Sequence, residues 1–292
     1  MKATGGAAML AAFAPIAGCG QDAATTKRTI KKAIMYGTVG VPGSVMDKMK
    51  AIREAGFEGV EPMGGMDQGE VSEALKETGL KAASVCCHTH WAKPLSDPNP
   101  AAREVGLEGL KLSLRDAKRY GATSVLLVPA VVNKQVSYAD AYTRSQAEIR
   151  KAIPVAEETG VKIAIENVWN QFLLSPLEAA RYVDEFNSPM VGWHFDIGNV
   201  INYGWPEQWI RILGPRILKL HIKEYSRKRR DKEGPGAGFG VDFLEGDNDW
   251  PSIMKALDEI KYGGWGIAEQ GGAGSLDGLK HLSERMDKIF SS

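Results

Sequence analysis

Short apolar runs of strand composition alternate along this chain with amphipathic stretches of helical period, and glycine or proline punctuates nearly every junction. The candidate strands are Lys32–Tyr36, Gly59–Pro62, Ala82–Cys87, Ser124–Pro129, Lys162–Asn167, Val191–Asp196, Ile217–Ile222 and Gly266–Glu269. The helices between them have legible ends. Ser44 with Asp47 three residues on reads as a capping box, and Gly56 stops that helix. Ser175-Pro176-Leu177-Glu178 supplies an N-cap, a proline at the first helical position and an acid in the first turn, while Asp249 caps a helix from Pro251 to Ile260. Eight strands in strict alternation with helices over residues 30–292 match the count and length of an α/β single-domain (β/α)8 barrel. A doubly wound open sheet is the competing arrangement, but no glycine-rich dinucleotide fingerprint follows the first strand. The barrel is therefore the expected fold.

The opening residues break this pattern. From Gly5 to Ala17 the chain is small and apolar, and it runs into Ile16-Ala17-Gly18-Cys19. That stretch is shorter than the roughly 20 residues needed to span a bilayer but suits a signal-peptide core. Ile-Ala-Gly-Cys resembles a bacterial lipobox, and Met1 to Gly5 resembles the tail of a twin-arginine signal without its arginine pair. The expected organisation is a signal segment at 1–19, a polar linker at 20–29 and the barrel at 30–292. A lipidated Cys19 would then be the sole membrane attachment of a periplasmic or cell-surface protein.

Composition narrows the function. Thirty-six basic residues balance thirty-six acidic ones, which argues against a protein whose main business is a nucleic-acid backbone. Three cysteines give no disulfide framework. In a (β/α)8 barrel the chemistry gathers at the C-terminal ends of the strands, so the polar residues closing each strand converge on one mouth. The fifth to eighth strands deliver Glu166, Asp196, His221 and Glu269 to that rim. Three carboxylates in one partly dry mouth repel, and a divalent cation relieves them. Three carboxylates with one imidazole suit Mn2+ first, with Mg2+ or Co2+ next; Zn2+ is a further alternative, although its structural sites favour sulfur and nitrogen. Lys219 and Lys223 on the seventh strand offer the competing explanation, ordinary ion pairs.

Ile163-Ala-Ile-Glu-Asn167, His194-Phe-Asp-Ile-Gly-Asn199, Lys219-Leu-His-Ile-Lys-Glu224, Leu244-Glu-Gly-Asp-Asn-Asp-Trp250 and Tyr262-Gly-Gly-Trp-Gly-Ile-Ala-Glu269 together resemble the xylose isomerase-like TIM barrel superfamily. Within it they are most similar to the sugar phosphate isomerase/epimerase group with its ketose 3-epimerases. The resemblance runs over residues 30 to 290 and is strongest in the second half. It implies metal ligation by Glu166, Asp196, His221 and Glu269, with Glu166 and Glu269 doubling as the catalytic acid/base pair. It also implies a substrate-binding role for Arg227, six residues beyond His221. Where those epimerases carry a histidine three residues after the aspartate ligand, Asn199 stands here, able to hydrogen-bond a hydroxyl but not to titrate. Their second acidic substrate contact, shortly after the first glutamate, has no match; Phe172 lies in that region.

Such a ligand set implies removal of the proton beside a carbonyl and its return on the opposite face, or expulsion of a β-leaving group. The expected activity is sugar epimerisation or isomerisation on a small carbohydrate. Elimination from a 3-keto-glycoside is the alternative, and a non-catalytic sugar-binding lipoprotein is the alternative of another class. Further expected substrate contacts are His88 and His90, two apart on the third strand end, with Trp91 and Trp169 as stacking faces and Trp205 a third. Glu61, His194 and Lys223 complete the set, Glu61 as a residue reaching the mouth from the second strand. Cys86 and Cys87 are adjacent, so they face opposite ways and cannot share an ion. The loop Ser226–Asp242, with Arg227-Lys228-Arg229-Arg230, is expected to lack secondary structure and to act as a lid. Five histidines, with His281 on the last helix, are too few for the trinuclear endonucleases of the same superfamily. Self-association into a homo-oligomer is left open.

Overall fold

Aliphatic runs buried on both faces pair in parallel when helices can cover the outer side, and this chain does so throughout. The computed structural model describes residues 28–292. The signal segment and Cys19, with the linker up to residue 27, lie outside the described residues. The strands are β1 (Lys31–Met35), β2 (Gly59–Glu61), β3 (Lys81–Ala82), β4 (Val85–Cys86), β5 (Ser124–Leu127), β6 (Lys162–Glu166), β7 (Val191–Asp196), β8 (Ile217–Ile222) and β9 (Trp265–Ala268). All neighbours are parallel, in the order β3-β2-β1-β9-β8-β7-β6-β5-β4. The third expected strand, Ala82–Cys87, is split at Ala83-Ser84 into β3, which pairs with β2, and β4, which pairs with β5. A bridge between Met63 and Cys86 closes the ring. The eight-stranded expectation thus holds with one strand in two pieces.

Helices α1 (Val45–Glu54), α2 (Gln68–Thr78), α3 (Pro100–Tyr120), α4 (Tyr138–Thr159), α5 (Pro176–Asp184), α6 (Ile197–Ile201), α7 (Pro206–Leu213), α8 (Arg227–Glu233), α9 (Trp250–Glu259) and α10 (Leu276–Ser291) fill the connections. The capping box of Ser44 and Asp47 is formed, and Ser175 and Asp249 cap α5 and α9. Gly79, Gly121 and Gly160 end α2, α3 and α4 in the left-handed conformation, with φ of 71, 78 and 69°, which costs a residue with a Cβ.

The large apolar core lies between this helix ring and the outside of the barrel, built from residues such as Ile163, Ile165, Phe195 and Leu220. Inside the barrel the apolar content is small, Ala33, Ala83 and Ile267 with Met35 and Trp265 against them. The remaining interior is polar: Glu61, Ser84, Ser124, His194, Lys219 and His221 are all buried. The small side chains of Ala33 on β1 and Ala83 just after β3 leave room for that polar column, and the column carries the site. No helix among the described residues is long and apolar enough to cross a membrane.

Candidate metal centre

Each acid at the barrel mouth is held by the residues next to it in sequence. Asp196 ends β7 and caps α6, accepting at Oδ1 the Asn199 backbone N–H at 2.8 Å. Its Oδ2 faces inward, toward Lys223. Asn167, directly after Glu166, accepts at Oδ1 from the Asp196 N–H at 3.0 Å and from Trp193 Nε1 at 3.1 Å. Its Nδ2 donates to the Asp196 carbonyl at 2.7 Å. These bonds lock the ends of β6 and β7 together.

The four expected ligands meet. One atom each from Glu166, Asp196, His221 and Glu269 lies within 4.8 Å of the others. His221 Nδ1 is 3.0 Å from Glu166 Oε1, 3.1 Å from Glu269 Oε2 and 4.0 Å from Asp196 Oδ2. Lys223 Nζ sits 2.6 Å from Glu269 Oε2 and 3.1 Å from Asp196 Oδ2, yet neither oxygen receives a well-directed hydrogen bond. On its other edge, His221 Nε2 lies 2.9 Å from Glu61 Oε2. Glu61, expected at the mouth, is fully buried behind the imidazole, because β2 ends at Glu61 while its side chain already points into the barrel. His194 lies beside it, its ring 4.2 Å from that of His221 and both its nitrogens without partners. Burial, then the nearby His221 and Lys219, depresses His194 well below the ordinary histidine range, so it is a neutral packing neighbour rather than a substrate contact.

The electrostatics of this cluster are unbalanced. Burial pushes the Glu166 carboxyl up to about 7, against the opposing pull of His221. Burial likewise raises Asp196 to about 6, with Lys223 opposing it. Burial acts on Glu269 in the same sense, but Lys223 and His221 together overcome it and hold that carboxyl well below the usual range. Four carboxylates (Glu61, Glu166, Asp196, Glu269) surround His221 and Lys223, so negative charge exceeds positive when all the carboxyls are ionised, and more so with a neutral, metal-ligating imidazole. A divalent ion would offset most of that excess, and the inward Asp196 Oδ2 and Glu269 Oε2, which face Lys223 without a well-directed hydrogen bond, are oxygens of the hard type such an ion prefers. The residues fit the cation. Glu61 fits as its outer support, since a carboxylate on Nε2 fixes the tautomer that leaves Nδ1 as a lone-pair donor.

Above the cluster opens a cavity of about 230 Å³ whose lining includes Glu166, His221, Lys223 and Glu269, with His90, Trp91, Trp169, Asn199 and Phe239 around them. His90 Nδ1 accepts the Val128 N–H at 3.1 Å, so the proton sits on Nε2 as a donor. Burial, with His88 adding to it, lowers its pKa to about 4, keeping it neutral. Asn199 spends its Nδ2 on the Asn167 carbonyl at 3.0 Å and so offers an acceptor oxygen. Trp169 donates to the Asn199 carbonyl and packs on Phe239 at 4.9 Å, forming one aromatic wall; half-exposed Trp91 forms another.

Besides Glu61 and His194, the expected contacts His88, Arg227 and Trp205 do not line the cavity. His88 is exposed and packs by Gly64 and Gly65, because β4 ends at Cys86 and the in–out alternation does not continue through the turn that follows. Arg227 donates to the carbonyls of Ile201 and Gly204 at 2.9 Å and lies over exposed Trp205, tying two loops together outside the cavity. The segment Ser226–Asp242 is not structureless: Ser226 caps α8, Gly234 follows its end, and a 3-10 turn at Pro235–Phe239 brings Phe239 to the wall. Cys86 lines the cavity while Cys87 sits in the outer core, facing apart as expected. Asn167, Phe239 and Leu126 were not singled out by sequence; only the adjacency of Asn167 to Glu166 hinted at a role.

A family described as xylose isomerase-like TIM barrel matches residues 49–287. The chain is 24% identical over 217 residues to L-ribulose-5-phosphate 3-epimerase UlaE of Escherichia coli O1:K1, covering 74% of each chain. Among solved structures it is similar to D-psicose 3-epimerase in the presence of D-fructose, with a TM-score of 0.73 at 17% identity, covering 89% of this chain and 98% of that one. It is also similar to 3-keto-D-glucoside 4-epimerase YcjR from E. coli, with a TM-score of 0.74 at 18% identity, covering 90% and 100%.

Proposed function

The chain belongs to the xylose isomerase-like TIM barrel family, and from that premise we propose that it is a metal-dependent sugar epimerase or isomerase acting beside a carbonyl. The observation that carries this reading is the convergence of Glu166, Asp196, His221 and Glu269 on one point at the floor of an aromatic-walled cavity. Those four residues would hold the ion, Mn2+ by preference, with Mg2+, Co2+ or Zn2+ as alternatives. A divalent ion there supplies charge stabilisation for oxyanion character developing on the substrate.

The protein's own residues do the rest. Glu166 and Glu269 rise from β6 and β9 and approach His221 from two sides. One takes the proton from the carbon beside the carbonyl, and the other delivers a proton to the opposite face, which inverts that centre. Return to the adjoining carbon isomerises instead. Their roles as acid and base exchange in the reverse direction. His90 Nε2–H and the Asn199 oxygen orient hydroxyls, and Trp91, Trp169 and Phe239 cover the C–H faces of the sugar. Lys223 is the one cationic side chain among the described lining residues apart from His221, and it is already paired. That favours an unphosphorylated sugar, in keeping with export through a lipidated Cys19, which we also propose.

A second reading has its own support. A groove of about 400 Å³ lies on the far side of Trp91, reaching Pro94, Ser96 and Asn133, with space for the second group of a glycoside. On a 3-keto-glycoside the same proton removal would let the electron pair form a C=C bond as the β C–O bond breaks, a glutamate protonating the leaving oxygen. Solvent deuterium separates the readings. Incubated with Mn2+ and a panel of ketoses and 3-keto-glycosides in D2O, the protein should place deuterium on the carbon beside the carbonyl, and Glu269→Gln should stop it. Release of the aglycone would identify the elimination. Binding without exchange on any member of the panel would make the protein a sugar binder and defeat both.

A further inference from the structure

The barrel's other end carries a different chemistry. Thr123 precedes β5, Lys162 opens β6, Gly214 leads into β8 and Lys261 into β9, so these residues ring the N-terminal face, away from the mouth. There they line a cavity of about 670 Å³ that includes Lys162, Lys219 and Lys261 and not one carboxylate.

Lys219 is the buried member, 5% exposed, on the same inward alternation of β8 as His221. Its Nζ donates to Thr123 Oγ1 at 2.8 Å. An ammonium has three donors, and among the described residues this hydroxyl is its sole acceptor. Among the described residues, none of the three lysines has a carboxylate within ion-pair distance. The contrast with Lys223, two residues on and doubly paired, is sharp. The buried Glu61 acts on this ammonium from beyond ion-pair distance; holding a buried ammonium with no carboxylate beside it is costly, and a methionine would fill the same space without that penalty. Conserving the barrel does not require a charge here; a ligand does. The cavity needs an acceptor-rich anion that can take the two spare Lys219 protons while Lys162 and Lys261 flank it.

We propose that this N-terminal cavity binds a phosphate-type oxyanion seated on Lys219. A tetrahedral oxyanion suits the spare donors of Lys219 in a cavity also lined by Lys162 and Lys261, and the same chemistry is offered by free phosphate and by a phospholipid headgroup. The cavity is separate from the epimerase mouth and stands whether or not that reading holds.

Two titrations of the full chain at constant ionic strength test it: inorganic phosphate against chloride by calorimetry, and sedimentation with phosphatidylglycerol vesicles against phosphatidylcholine ones. Lys219→Met should weaken binding by about tenfold or more, and Lys261→Ala by about threefold. Phosphate-free Lys219→Met should melt no lower than the wild type, since it removes an unpaired buried charge. Should Lys219→Met not fold, Lys162→Ala/Lys261→Ala gives the same reading. Lys219-dependent binding of phosphate identifies a soluble anion as the ligand, and Lys219-dependent binding of vesicles alone identifies a headgroup. Absence of binding to both probes overturns the proposal. So does binding untouched by these variants, or binding of phosphate only when Mn2+ is present, which would put the anion at the mouth.

Discussion

Replacing Glu61 tests whether the imidazole is held for a metal or merely packed. Glu61 is fully buried, and its Oε2 lies 2.9 Å from His221 Nε2 while Nδ1 of the same ring faces Glu166 and Glu269. Glu61→Gln keeps an oxygen acceptor at that position and removes the charge. Glu61→Ala removes both and leaves Nε2 with no partner. Outer partners of metal-bound histidines are worth about 10- to 100-fold in metal affinity, so Gln should weaken Mn2+ binding by about tenfold and Ala by about 100-fold. In free energy these are about 1.4 and about 2.7 kcal/mol. The assay is calorimetric titration of Mn2+ into the chelator-stripped protein, with circular dichroism to check that each variant is folded. If both folded variants bind Mn2+ within about twofold of the wild type, the imidazole is not being oriented by Glu61 and its role as support is wrong.

Other expectations follow from the same geometry. Stripping the metal should lower the melting temperature, and Mn2+ at about 100 times its Kd should restore about 2.7 kcal/mol of stability; an unchanged melt would mean that no ion is bound by the fold. Asn167→Ala should cost about 1–3 kcal/mol, because three buried hydrogen bonds to β7 are lost, and should weaken Mn2+ binding as Asp196 loosens, measured by urea unfolding and calorimetry. Arg227→Ala should leave KM for any turned-over sugar nearly unchanged while lowering stability, since the guanidinium holds carbonyls outside the cavity. Burial would raise the Glu148 carboxyl, but Lys151 and Arg103 outweigh it and lower its pKa. Its contribution is therefore present above the ordinary carboxylate range and lost as pH falls below it; Glu148→Gln should flatten the acid limb of the stability profile.

The barrel and the meeting of Glu166, Asp196, His221 and Glu269 at its mouth were legible because they depend on local rules. Alternation along β6, β7 and β8 decides which side chains face inward, and strand ends decide which reach the mouth, so Glu166, Asp196 and His221 could be read from short apolar runs. The rule fails where the strand stops: His88 left the site because the chain turns after Cys86, while His90 stayed through its bond to Val128. Glu61 was found by position but its partner was not, because contact with His221 spans 160 residues and depends on how far each side chain reaches across the barrel. Arg227 was expected at the substrate from the family resemblance and its loop was expected to lack structure, whereas the Ser226 cap and the carbonyls at Ile201 and Gly204 organise this segment.

Anomalous diffraction from a crystal grown with Mn2+ tests the metal centre most directly. The expected map has a single strong peak at the barrel mouth, within coordination distance of Glu166, Asp196, His221 Nδ1 and Glu269, with Glu61 still on Nε2. A map with no peak there, with Lys223 still bridging Asp196 and Glu269, would contradict it.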